Sequence, residues 1–222
     1  MANVLHIDSS ARQGSSLEGQ YGSHTRRLSA RFIQRWRASN PDDTVVYRDV
    51  ALQPPAPVTG EWIHAAFTPA DRREPWMLEA LAASDALVAE LLNADLIVVG
   101  VPMYNFNVPS TFKAYIDNIV RVGLTFGFDR ARKGEPYWPL LSDQHKRMVV
   151  LSSRGDYGYG KGSRIEHMNH VEPSIKTAFA YIGISEVHSV AAEYDEFADE
   201  RLKASVSAAE LAVDALVAQL SN

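Results

Sequence analysis

The stretch DLIVVGVPMYNFNVPSTFKAYIDNIVRVGLTF, residues 95–126, carries the features that decide the fold. Leu96-Ile97-Val98-Val99 is an unbroken apolar run, typical of a strand that is buried on both faces. A turn of aromatic and amide side chains follows at 103–107, and Pro109 precedes a pattern that predicts a helix over Ser110–Val122. A turn between a parallel strand and its helix lies at the carboxyl edge of the sheet, where open α/β sheets bind ligands. We therefore expect this turn to bind a flat ring.

Apolar runs and helical periods alternate on both sides of this stretch. Four further strands are predicted at residues 4–7, 44–48, 147–151 and 186–191, and four further helices at 25–37, 75–93, 173–183 and 200–220. This alternation is typical of a parallel sheet with helices on both faces. Five strands match the order 2-1-3-4-5 better than the six of a full dinucleotide-binding fold. We predict an α/β, flavodoxin-like three-layer sandwich that forms a single domain over residues 1–222.

Two segments lack a clear period. Pro54–Pro75 is rich in proline, and only one helical turn is expected there, around Glu61–Phe67. Asp129–Lys146 contains three helix or strand breakers and is predicted to be irregular. Loops of this length are usually lids, interfaces or disordered.

Composition excludes several classes of function. The formal net charge is −5, so no basic surface for nucleic acid is indicated. The chain has no cysteine, which excludes disulfides and thiolate chemistry, and no apolar run long enough to span a bilayer. The first residues lack the pattern of a signal peptide. We expect a cytoplasmic protein with neither nucleic-acid nor membrane partners.

The loop after the first strand is rich in hydroxyls and leads into a helix. Ser10 precedes a Gly- and Ser-rich loop, and Ser23-His24-Thr25 opens the helix. A helix N-terminus with hydroxyl donors is suited to binding phosphate, although capping within a solvated serine loop would explain the same residues. No GxGxxG follows this strand, which argues against a dinucleotide site.

Two other patterns are weaker. Gly155–Gly162 has the form GxxxxGK, but Gly162 stands where a phosphate-binding loop needs Ser or Thr. We interpret it as a flexible loop whose first part, Ser153–Asp156, approaches a ligand. His167 and His170 have a spacing that metal ligands can have, but a solvated pair explains the same residues, so no metal site is predicted. No catalytic dyad or triad is indicated.

Three motifs in order now suggest a family. They are SSARQG…GSHT after strand one, PMYNFNVPSTFKAYID after strand three and SSRGDYG after strand four. Together they resemble the FMN-dependent NADH-azoreductases, a branch of the flavodoxin-like quinone reductases. The resemblance covers nearly the whole chain and implies a homodimer with two FMN sites at its interface.

The resemblance also implies roles for single residues. By motif position, the FMN phosphate would be held by Ser10, Ser23, His24 and Thr25, the isoalloxazine ring by Pro102, Met103, Tyr104, Asn105 and Phe106, and its pyrimidine edge by Ser153, Arg154, Gly155 and Asp156. Tyr104 and Asn105 would support the cofactor without acting as acid or base. The family usually has a glycine where this chain has Asp156. Phe128 and Tyr181 match the positions of aromatic residues that lie over the open face of the flavin.

The activity implied is two-electron, ping-pong hydride transfer through flavin N5, from NADH or NADPH to a quinone or an azo compound. No protein acid or base is required, because the cofactor performs the chemistry. Three alternatives remain open. The protein could be a quinone reductase of another branch for which azo dyes are incidental, a non-enzymatic electron carrier of the flavodoxin type, or a binding module that senses flavin or quinone.

Overall fold

The computed structural model describes residues 1–15 and 21–221. This part of the chain forms seven strands, which are β1 (Asn3–Asp8), β2 (Thr44–Asp49), β3 (Leu96–Pro102), β4 (Phe126–Phe128), β5 (Tyr137–Pro139), β6 (Arg147–Ser153) and β7 (Glu186–Ala192). It also forms six α-helices, which are α1 (His24–Ser39), α2 (Gly60–Phe67), α3 (Pro75–Asn93), α4 (Ser110–Ile119), α5 (Val171–Ile182) and α6 (Glu200–Leu220). Residues 16–20 of the predicted Gly- and Ser-rich loop lie outside the described residues.

The main sheet has five parallel strands in the order β2-β1-β3-β6-β7. Numbering only these strands along the chain gives 2-1-3-4-5, so the predicted topology is confirmed. In the register, Asp8 lies beside Gly100, and Pro102 lies beside Ser153. The three central strands, β1, β3 and β6, therefore end at the same edge of the sheet, and the loops that follow them meet there.

The sheet is covered on both faces, as a three-layer sandwich requires. On β3, Ile97, Val99 and Val101 pack against α3, α4 and α5 in one core cluster. Leu96 and Val98 face the opposite way, toward α1 and α6. The alternation follows from the two-residue period of a strand, and it explains why this strand reads as a continuous apolar run.

Helix α1 brings the hydroxyl-rich loop to the edge of the sheet. Its apolar residues Leu28, Phe32 and Trp36 recur at four-residue intervals, and all three are buried against the sheet. Ser23 is the N-cap, and its Oγ accepts a hydrogen bond from the backbone N–H of Arg26 at 3.3 Å. The packed face and the cap together fix the start of α1 beside the end of β1.

The two segments predicted to be irregular contain regular structure. Helix α2 has two turns rather than one, because Thr59 caps it and its alanines pack on Met77 and Leu81 of α3. Within Asp129–Lys146, β5 pairs with β4 as an antiparallel hairpin, and a short 3₁₀ helix spans Ser142–Gln144. The hairpin depends on Gly127, since a Cβ at that position would collide with the ring of Trp138.

Helix α4 ends at Ile119, three residues before the predicted end at Val122. The hydroxyl of Thr125 explains the early stop. It donates a hydrogen bond to the carbonyl of Ile119 at 2.8 Å and accepts one from the N–H of Arg121 at 2.8 Å. A side chain six residues away thus satisfies the last carbonyl of the helix. The apolar pattern of the sequence does not reveal this contact. Among the described residues, no helix is both long and apolar enough to cross a bilayer.

Candidate active site

Two adjoining cavities lie at the carboxyl edge of the sheet. The smaller, which we call the serine chamber, measures about 150 Å³ and is lined by Ser10, Arg12, Ser23, His24, Pro102, Met103, Tyr104, Ser153, Gly155, Asp195 and Glu196. The larger, which we call the turn chamber, measures about 290 Å³ and is lined by Met103, Asn105, Phe106, Gly155, Asp156, Tyr159 and Glu196. Met103, Gly155 and Glu196 belong to both chambers and mark their junction. The three motif loops predicted to share a site therefore do meet.

The serine chamber contains the features of an anion site, although the carboxylates of Asp195 and Glu196 also line it. Ser10 and Ser23 are buried beside the first turn of α1, which contains no acidic residue that would oppose the helix dipole. Thr25 is also buried but does not line the chamber, and its hydroxyl hydrogen-bonds to that of Ser23 at 2.9 Å. Of the predicted phosphate-binding residues, Ser10, Ser23 and His24 thus face the chamber, and Thr25 supports them from behind.

An ion-pair cluster at this chamber joins the loop after β1 and the start of α1 to the loop after β7. Asp195, after β7, lies 3.1 Å from Nη1 of Arg12 and 3.3 Å from Nε2 of His24. Burial disfavours the charged carboxylate, but the hydrogen bond from His24 and the charge of Arg12 outweigh it and hold the pKa of Asp195 below its usual range. The chamber therefore contains two basic side chains whose positions depend on this carboxylate.

The turn at the opening stretch is strained. Tyr104 and Asn107 exchange both backbone hydrogen bonds, which closes a two-residue loop. Its central residues, Asn105 and Phe106, have φ values of 47° and 69°, a combination that normally requires Asn or Gly. Phenylalanine in this left-handed region costs about 1–3 kcal/mol, and such strain concentrates at functional sites. The turn presents Asn105 and Phe106 to the turn chamber.

The loop after β6 presents its backbone, not its arginine, to the chambers. The buried side chain of Arg154 turns away and pairs with Glu172 at 2.6 Å and Glu193 at 3.1 Å. Burial disfavours the charged form of Glu172, but the charge of Arg154 together with hydrogen bonds from Asn169 and Ser152 outweighs it, so the pKa of this carboxyl is also lowered. Arg154 lines neither chamber. Any contact of Arg154 with a ligand there would have to use the main chain.

Asp156 stands where the family that this chain resembles usually has a glycine. Its side chain pairs with Arg164. Its carboxylate accepts hydrogen bonds from Arg164 at 2.6 Å and from the N–H of Tyr157 at 2.8 Å. The bond from Arg164 is the main reason why the pKa of Asp156 lies below its usual range. The added negative charge at the turn chamber is therefore compensated by a neighbouring guanidinium.

The sequence analysis did not predict the loop after β7 as part of the site, although its residues line both chambers. The N–H of Asp195 donates to the carbonyl of Arg154 at 3.0 Å, and the N–H of Glu196 donates to that of Gly155 at 3.1 Å. Tyr194 and Ala198 adopt positive φ values of 71° and 51° around these two acidic residues. The available signal was the acidic run that directly follows the fifth predicted strand, since that position belongs to the same edge of the sheet.

Phe128 and Tyr181 lie elsewhere. Phe128 stacks on Tyr137 with ring centroids 4.7 Å apart, and Tyr181 packs on Phe126 at 5.2 Å. Tyr137 also contacts Tyr181, so the four rings form one group, which we call the hairpin cluster. Phe128 and Tyr181 are brought together, but neither lines a chamber of the same chain.

A larger cavity, about 950 Å³, shares Tyr159 with the turn chamber. It lies between the Gly-rich loop and α5, with His167, His170 and Lys176 among its lining residues. Its greater size does not make it the better candidate, because it is open and the motif loops after β1 and β3 do not reach it. In the described ranges, no group of three His, Asp or Glu side chains could hold a metal ion there or elsewhere.

Comparison with known proteins agrees with the architecture. A model of a family described by its flavodoxin-like fold matches residues 2–216. The FMN-dependent NADH:quinone oxidoreductase 2 of Colwellia psychrerythraea is 40% identical over 220 residues, which is 99% of this chain and all of the relative. An FMN-dependent NAD(P)H:quinone oxidoreductase 1 of Pseudomonas aeruginosa is 42% identical over 211 residues, or 95% of each chain.

Solved structures share the fold at lower identity. The FMN-dependent NADH-azoreductase from Bacillus anthracis str. Ames Ancestor, crystallised in complex with FMN, superposes with a TM-score of 0.84 over the whole of both chains at 19% identity. At this identity the likeness establishes the fold and not the chemistry.

Proposed function

Because the chain belongs to the flavodoxin-like family that includes the FMN-dependent NADH:quinone oxidoreductases, we propose that it is itself an FMN-dependent oxidoreductase. It would transfer two electrons from NADH or NADPH to quinones and to azo compounds. The observation that carries the proposal is the meeting of the serine and turn chambers at the carboxyl edge of the sheet.

The serine chamber fits a phosphate monoester. The N-terminus of α1 supplies unpaired N–H groups and the positive end of a dipole, Ser10 and Ser23 supply hydroxyls, and Arg12 adds a cation. The chamber measures about 150 Å³, so it suits one phosphate and the start of the ribityl chain better than a dinucleotide. FMN has this single phosphate, and riboflavin has none.

The turn chamber fits the ring end of FMN. The strained turn at Asn105 and Phe106 would hold the isoalloxazine against the loop after β6. Gly155 lies at the junction, where an added Cβ would meet the side chain of Glu196 at 2.5 Å. The absence of a Cβ at Gly155 lets Glu196 pack directly on this backbone, along which the resemblance implies that the pyrimidine edge lies.

When bound, FMN supplies the redox chemistry by accepting a hydride at N5 from the nicotinamide and delivering two electrons to the acceptor in a ping-pong sequence. The chain's own residues bind and orient it. Ser10, Ser23 and Arg12 would fix the phosphate, and the turn at Asn105 would fix the ring. No side chain is assigned a proton transfer, since water can protonate the reduced quinone.

A homodimer is part of the proposal. The hairpin cluster does not reach the chambers of its own chain, so Phe128 and Tyr181 could lie over a flavin only if they came from a second protomer. Tyr137 and Tyr181 are more than 40% exposed, which provides an apolar surface for such contact.

Binding and turnover test the proposal together. Purified protein should quench the fluorescence of added FMN and then oxidise NADH or NADPH in the presence of a benzoquinone or an azo dye. An electron carrier of the flavodoxin type would bind FMN without oxidising the nicotinamide directly, and a sensing module would bind without turnover. A protein that neither binds FMN nor oxidises NAD(P)H would disprove the proposal.

A further inference from the structure

Glu196 occupies the junction of the two chambers. Its side chain lies directly against Gly155, so that a Cβ added to this glycine would come 2.5 Å from Oε1 and 2.6 Å from Cδ. Its backbone N–H donates to the carbonyl of Gly155 at 3.1 Å, which fixes the loop after β7 to the loop after β6. The carboxylate is therefore held beside the backbone along which the ring edge of the cofactor is proposed to lie.

The neighbouring acidic groups have cationic partners. Asp195 pairs with Arg12 and His24, Asp156 with Arg164, and Glu193 with Arg154. Over residues 1–15 and 21–221, no ion pair or side-chain hydrogen bond involves the carboxylate of Glu196. Among the acidic residues that line the chambers, Glu196 is thus the one whose negative charge is not balanced by an adjacent cation.

Two backbone acceptors near this position each accept one hydrogen bond within the chain already. The carbonyl of Arg154 accepts the N–H of Asp195, and that of Gly155 accepts the N–H of Glu196. The pyrimidine edge of an isoalloxazine carries two carbonyl acceptors and one N–H donor, at N3. Backbone N–H groups can serve the carbonyls, but the N3–H group needs an acceptor, and the carboxylate of Glu196 is available for it.

We infer that Glu196 contacts the pyrimidine edge of the flavin, accepts its N3–H hydrogen bond and lowers its reduction potential. This inference rests on the proposed function. Two-electron reduction adds negative charge to the ring system, and a fixed carboxylate beside it disfavours that charge. The stoichiometry is unchanged: the nicotinamide loses a hydride, and a quinone gains those two electrons with two protons. By lowering the flavin potential, Glu196 would make reduction of the flavin by the nicotinamide less favourable and its reoxidation by the quinone more favourable.

Two substitutions separate charge from hydrogen bonding. Glu196→Gln keeps an acceptor oxygen and removes the charge, whereas Glu196→Ala removes both. Asp42→Asn is the matched control for net charge, because Asp42 is exposed in the turn before β2, at the opposite edge of the sheet. Each FMN-loaded variant is equilibrated anaerobically with a reference dye to obtain its midpoint potential, and FMN affinity is measured by fluorescence quenching.

Both Glu196 variants should show a more positive midpoint potential than wild type, and Asp42→Asn should not. FMN affinity should change little in Glu196→Gln and fall about tenfold in Glu196→Ala, as expected for loss of a hydrogen bond to a charged group. Unchanged potentials in a wild-type protein that binds FMN and oxidises NADH would overturn this inference alone. Weaker FMN binding at an unchanged potential would also overturn it, since Glu196 would then contact the ribityl chain. A wild-type protein that binds no FMN would overturn the proposed function as well.

Discussion

The phenol oxygen of Tyr104 accepts a hydrogen bond from the backbone N–H of Ala11 at 3.1 Å. This contact joins the strained turn after β3 to the loop after β1, and so it sets the spacing between the ring end and the phosphate end of the proposed site. Tyr104 thus has a structural role within its own chain.

Tyr104→Phe removes this acceptor and leaves the ring in place. Because the bond is exposed, water can replace it, and the loss should be about 1 kcal/mol, or roughly fivefold in FMN affinity. Catalytic efficiency should fall by a similar modest factor. Fluorescence titration and steady-state kinetics measure both quantities. A complete loss of activity with FMN still bound would show that the hydroxyl takes part in the chemistry.

The buried pair of Arg154 with Glu172 should matter for stability. Arg154→Gln leaves the carboxylate without its charged partner in a largely buried position, which should lower the free energy of unfolding of the apoprotein by about 3 kcal/mol. Urea denaturation measures the change. Arg164→Gln is the control, because it breaks the exposed pair with Asp156 and should have a far smaller effect. Equal destabilisation by the two variants would contradict this account.

The lowered pKa values of Glu172 and Asp195 predict acid lability. A carboxyl whose folded pKa is depressed adds stability that is complete above its unfolded pKa, about 4, and is lost as pH falls through the folded value. The free energy of unfolding should therefore decline below about pH 4. Glu172→Gln should be less stable at neutral pH and should show a shallower decline in acid. An unchanged slope would mean that other groups cause it.

The turn residue Phe106 offers a test of strain against function. Phe106→Gly should remove the cost of the left-handed conformation and stabilise the apoprotein by about 1 kcal/mol. The same change removes a ring from the turn chamber, so FMN affinity should fall. Thermal unfolding and FMN titration are measured on the same samples, with Asn105→Gly as the control within the turn. Tighter FMN binding by Phe106→Gly would argue against a role for this ring.

The proposed dimer can be tested at the hairpin cluster. Sedimentation should give twice the 24.6 kDa mass of the chain. Tyr181→Ala should raise the KM for quinone with little change in FMN affinity, because Tyr181 lies outside the chambers of its own chain. An active monomer would contradict the dimer, and weaker FMN binding without a change in KM would contradict the position of this aromatic.

Local sequence patterns predicted the five strands of the main sheet and their order. The run Leu96–Val99 identified the central strand because a buried parallel strand is apolar on both faces. Ser10, Ser23 and the turn at Asn105 followed from their position after strands, since the order of elements determines which loops share an edge.

Contacts between residues far apart in the chain could not be predicted from local sequence patterns. The side chain of Arg154 turns inward because it pairs with Glu172 and Glu193, which lie 18 and 39 positions later. The β4–β5 hairpin depends on the packing of Trp138 over Gly127, and hydrophobic periodicity does not indicate this contact. Asp195 and Glu196 join the site through backbone hydrogen bonds to the loop after β6. Each case depends on tertiary pairing and not on local propensity.

Anaerobic titration of the FMN-loaded protein with NADH, followed by addition of a benzoquinone, tests whether the bound flavin passes electrons from the nicotinamide to a quinone. The yellow flavin absorbance should bleach with a stoichiometric amount of NADH or NADPH and return in full when the quinone is added. A protein that holds FMN but keeps its absorbance in the presence of excess of either nicotinamide would contradict the proposed oxidoreductase.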